Sequence, residues 1–213
     1  MKNVVITGIG IKSCIGNDYK EVLTNLQNGQ SGVIFNEKYS DMGFRSCVSG
    51  SVDIDLSELI DRKLRRFMGE SAGYAYLATK DALKMAGIEE SDLDSPKIGI
   101  VAGSGGASTR VMLESGDIAR EKGPKRIGPY GVTKSMSSSI SAIIATALKL
   151  KGINYSISSA CATSAHCIGH AADLIKSGQQ DIVIAGGSDD EHWSSSCLFD
   201  AMGALSSNFN STP

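Results

Sequence analysis

Short β-branched runs that end near glycine alternate with helical segments along this chain, and this alternation constrains the fold most. The strand-like runs are VVITGIGI (4–11), KIGIVAG (97–103), INYSIS (153–158) and DIVIAGG (181–187). Helical segments are predicted at 18–26, 70–86, 140–151 and 162–178. Strands joined by helices of this length indicate βαβ units with a mainly parallel, covered sheet. No linker or low-complexity segment interrupts the pattern, so we predict a single α/β domain over residues 1–213.

Capping signals set the ends of the predicted helices. Asp18 is expected to cap the first helix, which Gly29 closes, and Gly87 is expected to end the helix at 70–86. Gly152 is expected to end the helix that follows the serine run. Residues 30–56 are rich in Ser, Gly and Asp and lack clear periodicity, which predicts a loop with at most a short strand.

Composition excludes several classes of function. The chain has 213 residues and a formal net charge of −2, whereas a nucleic-acid-binding domain is usually strongly basic. No apolar run is long enough for a transmembrane helix, and the N-terminus lacks the features of a signal peptide. We therefore expect a cytoplasmic protein that binds neither nucleic acid nor membrane. The glycine pairs at Gly8–Gly10 and Gly103–Gly105 do not complete a dinucleotide-binding motif, which favours tight turns at both places.

The five cysteines, at positions 14, 47, 161, 167 and 197, do not form a disulfide or zinc pattern. Their number is odd, and no C-x-x-C pair is present. Cys161 and Cys167 are also too far apart in sequence for the usual zinc-ligand spacing. Most of the thiols are expected to be small buried groups, and at most one is expected to be reactive. No metal site is predicted.

Cys161 lies between a predicted strand that ends near Ser158 and a predicted helix that begins near Ala162. A side chain at this position points out at the carboxyl end of the sheet, where α/β proteins bind ligands. It also meets the positive end of the helix dipole, which favours thiolate over thiol. From the residues alone, a nucleophile and a merely packed cysteine are about equally good interpretations.

The three histidines do not supply a base for Cys161. His166 is five residues further along the predicted helix, roughly 140° around its axis, and His170 is further still. His192 follows a run of acids and precedes the tryptophan, which indicates a solvated or partly packed side chain. A Cys–His protease pair therefore fails on spacing.

The motif SSACATSAHCIG, with AGSGG upstream and FDAMGALS downstream, resembles the N-terminal half of a β-ketoacyl-[acyl-carrier-protein] synthase of type I. VITGIG, IDRK, RFM, GPY, TK and QDIVIAGG match in order, so the resemblance covers essentially the whole chain. It implies a thiolase-like fold, in which this chain is one βαβ-rich half of an αβαβα layered sandwich. It also implies an acyltransferase of fatty-acid biosynthesis whose Cys161 accepts an acyl group from acyl carrier protein.

The resemblance further implies a decarboxylative condensation with malonyl carrier protein, for which the family uses two histidines from its second half. No cofactor of its own is implied, because phosphopantetheine arrives on the carrier protein. Those histidines are not among the residues to Pro213, so the chain is expected to be truncated, or to be half of a split enzyme with a partner chain. The alternative is an incomplete fragment that binds carrier protein or a partner without turnover. A thiolase or hydroxymethylglutaryl-type synthase is a weaker rival, because basic patches favour carrier protein over free coenzyme A.

Further site residues are implied by the same resemblance. Charge runs at 61–66 and 120–126 are often only solvated faces, and methionine and phenylalanine are often plain core. In the family, the corresponding basic positions dock the carrier protein, Met136 and Phe199 line the acyl tunnel, and Met136 does so across a homodimer interface at which INYSIS pairs between subunits. The docking residues are Arg62, Lys63, Arg66, Lys122 and Lys125, which we call the basic patch, and the substrate-binding residues are Met136, Phe199 and Met202.

Overall fold

The computed structural model describes residues 3–213, and the chain divides into two units. The larger unit contains the residues up to Gly10 together with Asp55–Asp190, and the smaller unit contains Ile11–Ile54 and Glu191–Pro213. In chain order, the α-helices of the described residues are α1 (Tyr19–Gln27), α2 (Glu37–Asp41), α3 (Leu56–Leu59), α4 (Arg62–Arg65), α5 (Glu70–Ala86), α6 (Thr109–Lys122), α7 (Gly131–Ser135), α8 (Ser139–Ala147), α9 (Thr163–Lys176) and α10 (Trp193–Ala201). The strands are β1 (Ile34–Phe35), β2 (Val48–Ser49), β3 (Ile98–Gly103), β4 (Asn154–Tyr155) and β5 (Ile182–Gly187). Glu90–Leu93 and Pro124–Arg126 form short 3₁₀ turns.

The larger unit is built on a parallel three-stranded sheet in the order β4-β3-β5. The central strand β3 pairs with β5 over its whole length, from Ile98 opposite Ile182 to Gly103 opposite Gly187. Every residue of β3 is buried, because helices cover the sheet. This arrangement confirms the predicted α/β class with a parallel sheet.

Helices α8 and α9 both pack against the central strand. On the α9 side, Val101 forms a buried cluster with Cys167 and Leu174. Adjacent strand residues point to opposite faces, so the fully buried Ile100 faces away from α9. Helix α5 packs in turn against α8, and the carboxyl ends of all three strands lie at one edge of the sheet.

Several predicted element boundaries are confirmed. Asp18 caps α1, since its carboxylate accepts hydrogen bonds from the backbone N–H groups of Lys20 and Glu21. These bonds hold the pKa of Asp18 below its usual value. Helix α5 runs from Glu70 to Ala86, and Gly87 ends it in the left-handed conformation with φ of 67°.

The predicted strand at 4–11 is wrong. Residues 3–12 form no strand in the structure, and the side chains of Val5 and Ile6 are 73% and 79% exposed. Gly8 and Gly10 instead lie against α5, where an added Cβ would be 2.0 Å from the Ala82 carbonyl oxygen and 1.7 Å from that of Ala78. The β-branched pattern reports strand propensity only, whereas a strand also requires a hydrogen-bonded neighbour, which this segment does not have within residues 3–213. The glycine pair therefore allows close packing on a helix and does not form the expected tight turn.

Other boundaries also differ from the prediction. The predicted strand 153–158 is reduced to Asn154–Tyr155. Helix α8 ends at Ala147, before Gly152, and the chain turns at Lys149 with a positive φ of 54°. Gly152 serves another purpose, since a Cβ there would be 2.4 Å from the Ile98 carbonyl oxygen. Helix α6 was not predicted, and none of its residues is buried.

The smaller unit contains α1, α2, α10 and the antiparallel pair β1–β2. Of these, α2, β1 and β2 lie within residues 30–56, where a loop with at most a short strand was expected. Tyr39 is buried in this unit, and its hydroxyl bonds to the Glu191 carboxylate and lies 2.7 Å from Ser196 Oγ. Burial, followed by the hydrogen bond to Glu191, raises the pKa of Tyr39 to about 12. These contacts join segments that are far apart in sequence.

Replacing Gly10 tests the close packing of the N-terminal segment on α5. Gly10→Ala places a methyl group against the Ala78 carbonyl and is expected to lower the free energy of unfolding by about 1–3 kcal/mol, the usual cost of overpacking. Gly169→Ala is the matched control, because a Cβ there meets nothing within 4 Å and alanine favours the interior of a helix such as α9. Urea unfolding measures both variants, and an unchanged midpoint for Gly10→Ala would contradict the described packing.

Candidate active site

Cys161 lies in a turn between the sheet and α9, and we call residues 158–162 the cysteine turn. Its thiol is exposed, and Ala162, the next residue, is the N-cap of α9. The first turn of a helix carries backbone N–H groups without intrahelical acceptors, together with the positive end of the helix dipole. Cys161 therefore lies between the sheet and the N-terminus of α9, the place in the chain that the sequence predicted for it.

The residue before the cysteine has a strained backbone. Ala160 has a φ of 51°, and Lys149 is the only other non-glycine residue with a positive φ among residues 3–213. Such a conformation costs about 1–3 kcal/mol and persists only where the surroundings impose it. Backbone hydrogen bonds contribute to the turn, from Ala162 N–H to the Ser159 carbonyl at 3.1 Å and from Thr163 N–H to the Ala160 carbonyl at 3.1 Å.

The glycine loop, residues 104–108, follows β3 and lies against the cysteine turn. Ser158 Oγ donates to the Ser104 carbonyl at 3.1 Å. At Gly105, an added Cβ would lie 3.0 Å from the Ala160 carbonyl oxygen, so a side chain at 105 would press on the turn. The two segments support each other at the carboxyl edge of the sheet.

Two aspartates after β5 hold the glycine loop. Asp189 accepts hydrogen bonds from Ser104 Oγ at 2.5 Å and from the Gly105 N–H at 3.0 Å. Asp190 accepts one from Ser108 Oγ at 3.1 Å. Sequence analysis treated these acids only as the surroundings of His192. Their position directly after a strand, at the same edge as the cysteine turn, is the signal that identifies them.

The histidines have partners other than the Cys161 thiol. His166 Nδ1 is 2.6 Å from Ser159 Oγ, and His170 Nε2 is 2.6 Å from the Tyr155 hydroxyl. His192 caps α10 in the smaller unit and lies next to the Trp193 ring. Within residues 3–213 the Cys161 thiol has no hydrogen-bonded base, as the spacing predicted.

The other four cysteines are more covered than Cys161. Cys47 and Cys167 are buried, while Cys14 and Cys197 are half-buried. Cys167 lies on α9 and belongs to the buried cluster that α9 forms with β3, so it is the structural thiol of the motif. Because Cys161 is exposed, the alternative of a merely packed cysteine at this position loses its support. No group of His, Cys, Asp and Glu side chains in the described range could hold a metal ion.

The larger unit has one cleft near the chain segments that carry the basic patch, although no residue of the patch lines it. The cleft has a volume of about 300 Å³ and is lined by residues from the α4–α5 junction, α6 and α7, including Arg65, Ile118, Ile127 and Tyr130. Arg66 is exposed, and its guanidinium lies 5.1 Å from the Phe67 ring centroid and 5.5 Å from that of Tyr130. Lys122 ends α6, and Lys125 lies in the following 3₁₀ turn. None of the five cations of the patch forms an ion pair with a residue of the described chain.

The three apolar candidates are placed in different units. Met136 is half-buried in the larger unit, where it caps the end of α7 in an extended conformation. Phe199 lies on α10 in the smaller unit and Met202 caps it, and they are 44% and 73% exposed. None of the three is core, so the plain-core alternative is wrong for each.

No helix within residues 3–213 is both long and apolar enough to cross a membrane.

Known proteins resemble this chain over its whole length. Residues 1–213 match the family model described as "Beta-ketoacyl synthase, N-terminal domain". The chain is 51% identical to 3-oxoacyl-[acyl-carrier-protein] synthase 1 of Escherichia coli (strain K12), and 49% identical to that of Haemophilus influenzae. Each alignment covers 100% of this chain and 53% of the relative. The chain therefore spans about half the length of the curated relatives that it matches.

Solved structures show the same likeness. A beta-ketoacyl synthase from Burkholderia phymatum STM815 matches with a TM-score of 0.89 at 25% identity, covering 100% of this chain and 53% of that one. A chain from a type II PKS acyl-carrier protein in complex with its ketosynthase matches with a TM-score of 0.78 at 29% identity, covering 96% of this chain and 50% of that one. These matches confirm the fold class expected from the sequence, a half of the thiolase-like architecture.

Proposed function

The chain belongs to the beta-ketoacyl synthase family, and from this premise we propose that it is the N-terminal part of a 3-oxoacyl-[acyl-carrier-protein] synthase of fatty-acid biosynthesis. The observation that carries the proposal is the placement of Cys161. Of the five cysteines it alone is exposed, and it stands in a strained turn at the N-terminus of α9. A thiol in this setting is suited to act as a nucleophile.

In the proposed first step, the Cys161 thiolate attacks the thioester carbonyl of an acyl group carried on the phosphopantetheine of acyl carrier protein. A new bond forms between the Cys161 sulfur and the acyl carbon, and the pantetheine sulfur leaves and takes up a proton. The helix N-terminus stabilises negative charge on the attacking sulfur, and backbone N–H groups there stabilise the tetrahedral intermediate. The chain needs no cofactor of its own for this exchange.

In the proposed second step, malonyl carrier protein loses carbon dioxide, and the resulting carbanion attacks the acyl carbon on Cys161. A carbon–carbon bond forms, the Cys161 thiolate is released, and the acyl chain is two carbons longer. This step needs hydrogen-bond donors for the developing enolate. None of the three histidines bonds to the Cys161 thiol, so we assign these donors to a further segment, as the family resemblance implies.

A further segment would complete the enzyme either in the same polypeptide or as a second chain. Exposed apolar side chains support this proposal, since Val5, Ile6 and Ile168 of the larger unit lack cover in the described residues. The relatives are also about twice as long as this chain. Intact-mass analysis of the protein purified from its natural source tests this proposal, because it shows whether the polypeptide is longer than this chain or co-purifies with a second chain. An active protein that consists of this chain alone would contradict the proposal.

We also propose that the protein is a cytoplasmic homodimer. β4 is an edge strand with both residues exposed, so its backbone groups are available to a second subunit. As the family resemblance implies, we assign Met136 and Phe199 to the acyl tunnel, with Met136 acting across the subunit interface. Met202 is assigned to substrate binding. Light scattering after size exclusion tests the dimer, and a monomer at micromolar concentration would contradict it.

Alkylation of the native chain tests the proposed nucleophile. Iodoacetamide at pH 7 is expected to label Cys161 before the half-buried Cys14 and Cys197. The labelling rate of Cys161 in the native chain is expected to exceed its rate in urea by about fivefold, because unfolding removes the helix field from the sulfur. Peptide mapping by mass spectrometry gives each rate. The comparison with urea separates activation from exposure, and a Cys161 rate equal in both conditions would contradict the proposal.

The alternative is an interaction half that binds partners without turnover. Release of carbon dioxide from malonyl carrier protein separates the two hypotheses, because the alternative predicts none even with the completing segment present. Activation of Cys161 in the alkylation test would favour the enzyme over the interaction half.

We propose that the basic patch docks the acyl carrier protein, which is a small acidic protein. Within residues 3–213 these five cations form no ion pair, although the net charge of the chain is −2. Arg66 lies over the rings of Phe67 and Tyr130, and such contacts reduce the side-chain entropy that an arginine loses on binding. Opposite charge on the two partners would accelerate their encounter and fix its orientation.

Charge reversal at Arg66 tests the docking surface. Arg66→Glu is expected to weaken binding of acyl carrier protein by about tenfold or more at low salt, with a smaller effect at high salt because ions screen exposed charges. Lys20→Glu is the matched control, an equal charge change at an exposed residue of α1 in the smaller unit. Fluorescence anisotropy with labelled carrier protein measures the dissociation constants. Equal effects of the two variants would contradict docking at the patch.

A further inference from the structure

The side-chain hydroxyl of Thr163 bonds to the backbone on both sides of the strained residue Ala160. Thr163 Oγ1 accepts a hydrogen bond from the Ser159 N–H at 2.9 Å and donates one to the Ala160 carbonyl at 2.8 Å. The side chain is almost fully buried, with 3% of the residue exposed. Within the described chain, the Ala160 carbonyl accepts only from the hydroxyl and the N–H of Thr163.

The methyl group of Thr163 faces the end of the sheet. Thr163 Cγ2 lies 3.4 Å from the position that a Cβ of Gly103 would occupy at the end of β3. One buried side chain therefore joins the cysteine turn to the central strand, with its hydroxyl on the turn and its methyl on the strand. Valine would keep the packing and lose both hydrogen bonds, whereas serine would keep the hydroxyl.

Ala160 needs such support because its conformation is disfavoured. With a φ of 51°, it occupies the left-handed region that glycine adopts readily and alanine does not. If the turn relaxed, the backbone on the N-terminal side of Cys161 would rotate, and the thiol would move relative to the first turn of α9. The field of a helix terminus falls off within about one turn, so a small displacement of the sulfur matters.

We infer that Thr163 is a positioning residue for the nucleophile. Its hydroxyl holds Ala160 in the left-handed conformation and thereby fixes Cys161 at the N-terminus of α9. Thr163 acts through the backbone of Ser159 and Ala160 and makes no hydrogen bond to the thiol. The inference rests on the proposed role of Cys161 and adds a residue that the motif alone does not distinguish from its neighbours.

Two substitutions at Thr163 and one control test the inference in the full chain. Thr163→Val is expected to lower the iodoacetamide rate of Cys161, relative to that of Cys197 in the same molecules, by about fivefold or more, because the sulfur loses its fixed place at the helix terminus. Thr163→Ser retains the hydroxyl and is expected to stay within about twofold of the wild type. Thr146→Val is the control, since Thr146 Oγ1 bonds only within its own helix, to the Ala142 carbonyl at 2.7 Å.

A rescue variant separates positioning from general stability. Ala160→Gly in the Thr163→Val background is expected to restore the ratio of the Cys161 and Cys197 rates, because glycine adopts the positive φ without support. A purely structural Thr163 would lower the thermal midpoint of Thr163→Val and leave that ratio unchanged in the folded protein, which would overturn the inference. If wild-type Cys161 reacts no faster than Cys197, the proposed function fails as well, so the two failures are distinguishable.

Discussion

The parallel pairing of β3 with β4 and β5 is the constraint on which the rest of the larger unit depends. Because both neighbours run parallel to β3, the segments that follow all three strands emerge at one edge of the sheet. The glycine loop follows β3, the cysteine turn follows β4, and Asp189 follows β5. Hydrogen bonds then join them, from Ser158 to Ser104 and from Ser104 to Asp189. The strand register therefore brings together residues that are distant in sequence.

At this edge, the chain places the exposed Cys161 beside the N-terminus of α9. Thioester exchange replaces one sulfur by another, so it requires an available thiolate and a polarised carbonyl more than a strong base. In the proposed mechanism, the helix N-terminus serves the first requirement. We assign the positioning of the thiol to the left-handed backbone of Ala160, which the two Thr163 hydrogen bonds support.

Local sequence signals predicted the elements whose ends depend on their own residues. Helix α5, closed by Gly87, and strand β5 follow the predicted boundaries closely. Cys161 was identified as a candidate because its position between a strand and a helix is itself local. The family resemblance supplied the chemistry and the additional residues of the site.

The errors occur where a feature depends on distant residues. The segment 4–11 has strand propensity, but pairing needs a neighbour that local pattern does not provide. The contact of Asp189 with Ser104 was not predicted, since only the strand order brings these two residues together. The same applies to the contact of Tyr39 with Glu191 in the smaller unit.

Acyl transfer to the chain is the most direct test of the central claim, that Cys161 is the acyl-accepting nucleophile. The purified chain would be incubated with acyl carrier protein that bears a saturated acyl group, and its intact mass and peptide map would be recorded. The account predicts a mass increase of one acyl group located on Cys161, lost in Cys161→Ser and retained in Cys197→Ser. Absence of acyl transfer to the folded chain, or transfer that persists in Cys161→Ser, would contradict it.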